Sequence, residues 1–256
     1  ELRLQLQTGA RSLELQAHLE QREGQWQLQA AAQLDRQPLL TLRSALREEA
    51  AVSHWQGELE LVQLADSRGL FVWLQQWQST DQHLLDTQAS LRLQANWQLA
   101  LAPGASLLDV ERLRGGSGTF NAVLQLQSPL LQYQALDLKL AGTLAEQQLQ
   151  ISVQPASDLQ ARRVQLAEGL RVQQLQAKLA GLALQLGGNP SLHGPLQLSV
   201  GALEQAELLP QAWQFDGQLQ ANAQQQRLQG ALSNAAGLSL KVDTERDAQG
   251  ALRLSA

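Results

Sequence analysis

Apolar and polar residues alternate along much of this 256-residue chain, and the alternation is longest from Ala89 to Leu101. In that stretch every odd position is Ala, Leu or Trp, whereas every even position except Ala100 is Ser, Arg, Gln or Asn. Strict alternation is typical of a β-strand, because successive side chains of a strand point to opposite faces. At about 3.3 Å per residue this strand would be roughly 40 Å long, with one apolar face and one polar face.

Shorter copies of the pattern recur along the whole chain, separated by turn residues such as those at Arg22–Gly24 and Asp35–Pro38. Short connections between alternating segments predict an antiparallel meander. Leu and Gln dominate the sequence and favour helices, but the period of the pattern is a better guide than propensity where one face is buried. We therefore interpret residues 158–179 as two strands, interrupted at Glu168–Gly169. Over residues 201–210 we expect a helical turn.

The period changes once, at residues 66–78, where one short amphipathic helix is predicted to interrupt the strands. Its apolar residues have the spacing i, i+3, i+4, i+7 of a helix face, and they are Leu70, Trp73, Leu74 and Trp77. Asp66 or Ser67 would cap its first turn. The helix could close one end of the sheet, or it could touch lipid through its aromatic residues.

No shift in composition marks a domain boundary, and the alternation is already under way at Glu1 and still present at Leu254. The sequence therefore predicts a single β segment over residues 1–256, cut from a larger protein. Units of the form strand–Gly–strand recur loosely, as at Leu138–Gly142 and Ala177–Gly181, which favours a stacked array over a closed barrel.

Composition and motifs argue against most chemical functions. The net charge is −5 with no basic stripe, so nucleic acid is not an expected partner. The chain has no cysteine, and its four histidines form no pair with metal-ligand spacing. Phosphate-binding glycine loops and a nucleophile elbow are also absent from the sequence. We expect no enzymatic activity, no cofactor and no metal. The sequence contains no run of 18 apolar residues, so it predicts no membrane-spanning helix.

The remaining feature is a sheet with one apolar face, and two arrangements of that face are open. The apolar faces could pack on each other as a closed sandwich, with Gln on the outside. Alternatively, a curved sheet could leave a continuous apolar trough, which costs about 25 cal/mol per Å² of exposed apolar area unless something fills it. Extended acyl chains would fill such a trough without specific polar contacts.

Long Leu-alternating strands that end in Gly, as at Leu138–Gly142, Leu175–Gly181 and Leu228–Gly230, accompany the mid-array helix and the absence of a catalytic motif. In these features the chain resembles the AsmA-like proteins of the Gram-negative periplasm, which include TamB, and most of all the YdbH-type branch. The resemblance implies an elongated open groove, or β-taco, that carries phospholipid acyl chains between the inner and outer membranes. It further implies an inner-membrane anchor on the full-length protein and an outer-membrane partner protein at one end.

If the resemblance holds, apolar side chains line the groove and the Gln-rich face meets water. The expected lining residues are Leu15, Leu28, Leu42, Leu61, Leu91, Leu93, Trp97, Leu99, Leu126, Leu138, Leu140, Ile151, Leu184, Leu198 and Leu240. Two alternatives stay open: a structural or adhesive β-solenoid with a closed core, and a lipopolysaccharide-handling groove of the jelly-roll type.

Overall fold

The computed structural model describes residues 1–8, 11–61, 90–102, 115–127, 133–167, 170–205, 208–247 and 252–255. Within these ranges the chain is all-β and contains no helix, and its strands belong to one large antiparallel sheet. The predicted all-β antiparallel fold is therefore confirmed. No helix within these ranges could cross a membrane.

The chain divides into two compact units. The first comprises Glu1–Leu131 and Ala141–Gln148, and the second comprises Gln132–Leu140 and Leu149–Ala256. The strands of the first unit are β1 (Leu2–Thr8), β2 (Arg11–Arg22), β3 (Gln25–Leu34), β4 (Gln37–Glu48), β5 (Ser53–Leu61), β6 (Ser90–Leu101) and β7 (Ser117–Gln127). The boundary between the units falls within β8 (Tyr133–Ala145).

The strands of the second unit follow β8 along the chain. They are β9 (Gln148–Val153), β10 (Asp158–Ala167), β11 (Leu170–Lys178), β12 (Ala183–Leu186), β13 (Ser191–Gln205), β14 (Leu208–Asn222), β15 (Gln225–Asn234), β16 (Ser239–Asp247) and β17 (Leu252–Ser255). Gln148, the first residue of β9, still belongs to the first unit. In the first unit consecutive strands pair antiparallel, for example β2 with β3. In the second unit β13–β17 do the same, whereas β10 also pairs with β8, β11 pairs with β13, and β12 pairs with β9 as well as β13.

Two-residue turns set the register of the first hairpins. Glu23 and Gly24 join β2 to β3 with φ values of 49° and 77°, and Asp35 and Arg36 join β3 to β4 with φ values of 52° and 68°. Positive φ at both central residues gives the turn the twist that an antiparallel pair needs. Both turns fall where the sequence predicts them.

Two segments with a weak alternating pattern are strands. Residues 158–179 form β10 and β11, as predicted. The helical turn expected over 201–210 is wrong, because β13 continues to Gln205 and β14 begins at Leu208. The register of β13 and β14 shifts between Val200 and Leu203 and again between Leu203 and Gln205, so an extra residue interrupts the alternation there.

Buried apolar side chains are few in the described ranges. They are Ala32, Leu34, Leu39, Leu101, Ala161, Val172, Ala177, Leu182 and Phe215. Three of them, Ala32, Leu34 and Leu39, form one small cluster in the first unit. A closed sandwich would instead bury most of the inner-facing side chains of each strand.

The predicted helix over residues 66–78 lies outside the described residues. The same is true of its apolar residues Leu70, Trp73, Leu74 and Trp77.

Candidate functional site

Strand register in the first unit brings the apolar positions of β1–β7 onto one side of the sheet. We call this side the first apolar face and define it as the alternate positions aligned with Leu91, Leu93, Trp97 and Leu99. One row of cross-strand neighbours illustrates it, and this row consists of Leu4, Leu15, Ala32, Leu40, Leu61, Leu93 and Leu124. Every member of the row is apolar, so the face is continuous across all seven strands.

The lining residues predicted in this unit all lie on the first apolar face. They are Leu15, Leu28, Leu42, Leu61, Leu91, Leu93, Trp97, Leu99 and Leu126. Each of the nine is half-buried. Other leucines on this face are more open, and the exposed fraction reaches 60% for Leu2 and 56% for Leu19. The first apolar face is thus only partly covered by its own side chains.

An aromatic cluster occupies the middle of the first apolar face on β5–β7. The rings of Trp55 and Trp97 meet edge to face, with centroids 5.4 Å apart and planes at 65°. Phe120 lies directly opposite Trp97 in the register. Gly57 lies opposite Trp97 on the other side, and a Cβ atom at Gly57 would collide with the six-membered ring of the indole.

Glycine makes room for Phe120 in the same way. A Cβ atom at Gly142, in β8, would overlap the Phe120 ring. Aromatic rings that cover glycines in neighbouring strands fill the gaps left by the missing side chains. The cluster therefore fills the space above Gly57 and Gly142 with aromatic rings.

Few polar groups interrupt the described part of the first apolar face, and three of them lie in or beside the aromatic cluster. The indole Nε1–H of Trp55 donates a hydrogen bond of 2.7 Å to the Oγ atom of Ser44. The Nε1 atom of Trp97 is buried and has no hydrogen-bond acceptor among the described residues. Ser44 faces Gly57 in the register, and Gly57 faces Trp97, so these groups lie in one row.

The second unit has a corresponding second apolar face, which we define as the alternate positions of β8–β16 aligned with Leu198. Leu198 is opposite Phe215, Phe215 is opposite Leu232, and Leu232 is opposite Leu240. All six lining residues predicted in this unit lie on this face, namely Leu138, Leu140, Ile151, Leu184, Leu198 and Leu240. The first five are half-buried, and the exposed fraction of Leu240 is 48%.

Phe215 repeats the aromatic-on-glycine packing in this unit. Gly217 and Gly230 face each other across β14 and β15, and a Cβ atom on either would meet the Phe215 ring. The exposed fraction of Phe215 is only 7%. This ring is accordingly one of the few buried side chains on a mainly aliphatic face.

The opposite faces of both units carry polar and charged side chains. In the first unit Arg43 pairs with Glu58 at 3.1 Å, and the amide of Gln94 donates to Glu60 at 2.9 Å. Exposed pairs of this kind contribute little to stability, so their main effect is to make this face hydrophilic.

One ion pair in the second unit has closer geometry. Arg227 donates from Nε to Oδ1 of Asp243 at 3.1 Å and from Nη2 to Oδ2 at 2.8 Å. Gln229 donates a further hydrogen bond of 2.8 Å to Oδ2. These hydrogen bonds, with that from Arg227 the largest cause, lower the pKa of Asp243 to about 2.

Two hollows lie on the polar faces, and the sequence analysis singled out neither. One in the first unit has a volume of about 560 Å³ and is lined mainly by Gln, Asn and the Arg43 and Glu58 side chains. One in the second unit, of about 790 Å³, includes Asp137, Asp158 and Lys178. Within the described ranges no group of three or more His, Asp or Glu residues could hold a metal ion.

Sequence reasoning also passed over Ser44, Gly57 and Phe120, which shape the centre of the first apolar face. Gly57 and Ser44 occupy inward positions of alternating strands, where a Leu would be usual. A small residue at an inward position beside a Trp is the signal that could have found them.

In the part of the chain that the structure describes, the arrangement offers extended, partly covered apolar faces made mainly of Leu and Ala. Comparison with protein-family models, with curated proteins and with solved structures gives no match for this chain.

Proposed function

We propose that the two apolar faces of this chain shield the acyl chains of phospholipids. In this proposal the sheet curves into an elongated open groove, and the apolar faces line it. The head groups stay at the open side, where they meet water, while the polar faces form the outer surface.

The observation that supports the proposal is the partial exposure of the apolar faces. A sealed core buries its inner side chains, whereas 14 of the 15 predicted lining residues are half-buried and Leu240 is exposed. Exposed apolar area costs about 25 cal/mol per Å², so a protein that keeps two such faces gains from an apolar occupant. Acyl chains suit faces made mainly of Leu and Ala, because they need no directional contacts.

The cellular role follows from the resemblance to AsmA-like proteins. We propose that the groove carries phospholipid between the inner and outer membranes in the periplasm of a Gram-negative bacterium. The full-length protein would be anchored in the inner membrane, with an outer-membrane partner protein at one end of the groove. Weak and uniform contacts suit transport, because a tight site would hold the lipid in place.

Mass spectrometry of organic extracts from the purified protein tests this proposal. We expect phospholipid to co-purify with the wild-type chain. The Leu93→Asp and Leu138→Asp variants should carry severalfold less lipid, because each places a carboxylate on an apolar face, where burial of an unpaired charge is costly. Gln98→Asp is the matched control, since Gln98 is exposed on the opposite side of the strand that contains Leu93.

Each other result contradicts the proposal in a different way. A lipid-free extract favours a structural β-solenoid. An extract that contains lipopolysaccharide and no phospholipid favours a lipopolysaccharide-handling groove. Normal lipid content in both Asp variants, with circular dichroism unchanged, overturns the assignment of these faces to lipid.

A further inference from the structure

The row that contains Trp97 holds two hydrogen-bond donors without acceptors in the middle of the first apolar face. The Nε1–H group of Trp97 is one. The other is the hydroxyl proton of Ser44, because the Oγ atom of Ser44 already accepts from Trp55 and no acceptor for its proton is found among the described residues. Gly57 is the residue between Ser44 and Trp97 in the register and contributes no side chain.

An unpaired N–H in apolar surroundings is unfavourable relative to one that is hydrogen-bonded. Buried polar groups of native proteins are nearly always paired, so an orphaned donor calls for an explanation. Phenylalanine would place an aromatic ring at this position without this cost. The indole N–H at this position is thus better explained by an acceptor that the chain itself does not supply.

Two features define the chemistry of that acceptor. The group must accept without needing to donate, since the chain offers only donors there. It should also be uncharged, because the arginines of the neighbouring strands, Arg43, Arg47 and Arg92, alternate with the inward positions and lie on the opposite face. An anion on this face would be buried without a cation, which is costly.

We infer that Trp97 and Ser44 form a site for the ester carbonyl oxygen of an acyl lipid. This inference rests on the proposed function and names the one polar group that an acyl lipid carries next to its chains. The carbonyl oxygen accepts from the Trp97 Nε1–H and the Ser44 hydroxyl, while the acyl chain continues over the Leu and Ala side chains on either side. The indole of Trp97 is half-buried as a whole and its Nε1 atom is covered, so binding at this site requires the ring to turn its N–H towards the ligand.

Competition between two lipids that differ only in this acceptor tests the inference. A fluorescent phospholipid is bound to the protein and displaced by diacyl phosphatidylethanolamine or by its dialkyl ether analogue with the same chain length. The ether analogue lacks both carbonyl oxygens. For the wild-type chain we expect the ester lipid to compete about fivefold better, the factor that corresponds to one net hydrogen bond of about 1 kcal/mol.

Trp97→Phe should bring this ratio close to one while it keeps an aromatic ring over Gly57. Trp26→Phe is the matched control, because Trp26 lies on the same face at the start of β3, away from Ser44 and Trp97 in the register, and its replacement should leave the ratio unchanged. A direct measurement is the indole N–H resonance of Trp97, assigned by its loss in Trp97→Phe. It should shift when the ester lipid binds and not when the ether lipid binds.

The outcomes separate this inference from the proposed function. If the fluorescent phospholipid binds but ester and ether lipids compete equally, or if Trp97→Phe keeps the wild-type ratio, the carbonyl site is overturned and the lipid function stands. If the fluorescent phospholipid does not bind at all, both are overturned.

Discussion

Gly57 and Trp97 face each other across β5 and β6, and the missing side chain of one provides the space for the indole of the other. In the same way, the Phe120 ring packs over Gly142, and the Phe215 ring packs over Gly217 and Gly230. On a face that is only half covered, such contacts supply much of the fixed packing. Alternation predicts that Trp97 points to the apolar face, but it does not predict which neighbour makes room for it.

Replacement of Gly57 by Ala should destabilise the first unit. The added Cβ would be 2.8 Å from the carbonyl oxygen of Arg43, and it would also overlap the indole of Trp97. Overpacking of this kind costs about 1–3 kcal/mol, which urea denaturation measures as a lower midpoint. Gln56→Ala is the control, because Gln56 is exposed on the opposite face. Equal midpoints for Gly57→Ala and the wild type would contradict the packing described for Trp97.

At the scale of strands, alternation in the sequence predicts both the extended conformation and the residues that share a face. Each of the 15 predicted lining residues lies on the apolar face of its unit, because the regular antiparallel register preserves the two-residue period from strand to strand. The prediction is wrong at 201–210, where register shifts break the period. Propensity is misleading throughout, since Leu and Gln favour helices and yet form these strands.

A pair of strands in the second unit is joined by an ion pair with a measurable pH dependence. The pKa of Asp243 is lowered to about 2. The carboxyl group therefore stays ionised to a lower pH in the folded state than in the unfolded chain. This contribution is complete above the ordinary pKa of 3.8 and is lost as the pH falls towards 2. We therefore expect Asp243→Asn to lower stability at pH 7 and to lose most of its effect near pH 2.

Urea denaturation of wild type and variant at pH 7, 4 and 2 measures this difference. Asp216→Asn serves as the control, because it is the same chemical change on the polar face of β14. An Asp243→Asn effect of the same size at every pH would contradict the role of the Arg227 pair.

At the scale of the whole molecule, alternation in the sequence predicts the all-β class and the two chemically different faces, whereas the open groove comes from the resemblance and stays a prediction. The curvature that a groove needs depends on twist and side-chain volume, and neither of these changes the alternation of the pattern. The two polar-face hollows were unforeseen for a related reason. Asp137 and Asp158 are distant in sequence and become direct neighbours only through the pairing of β8 with β10.

The open apolar faces lead to a prediction for the native protein. A dye that fluoresces only in apolar surroundings should bind the folded chain after a detergent wash, because Leu2, Leu19 and Leu240 are 48–60% exposed and lie on the apolar faces with half-buried neighbours. Added phospholipid should displace the dye, since both need the same surface, and the Leu93→Asp and Leu138→Asp changes combined should weaken binding of both. A chain whose faces were covered in the native state would give no fluorescence. That result would mean that segments beyond the described ranges, or a second molecule, cover the faces, and it would remove the main support for a lipid-binding groove.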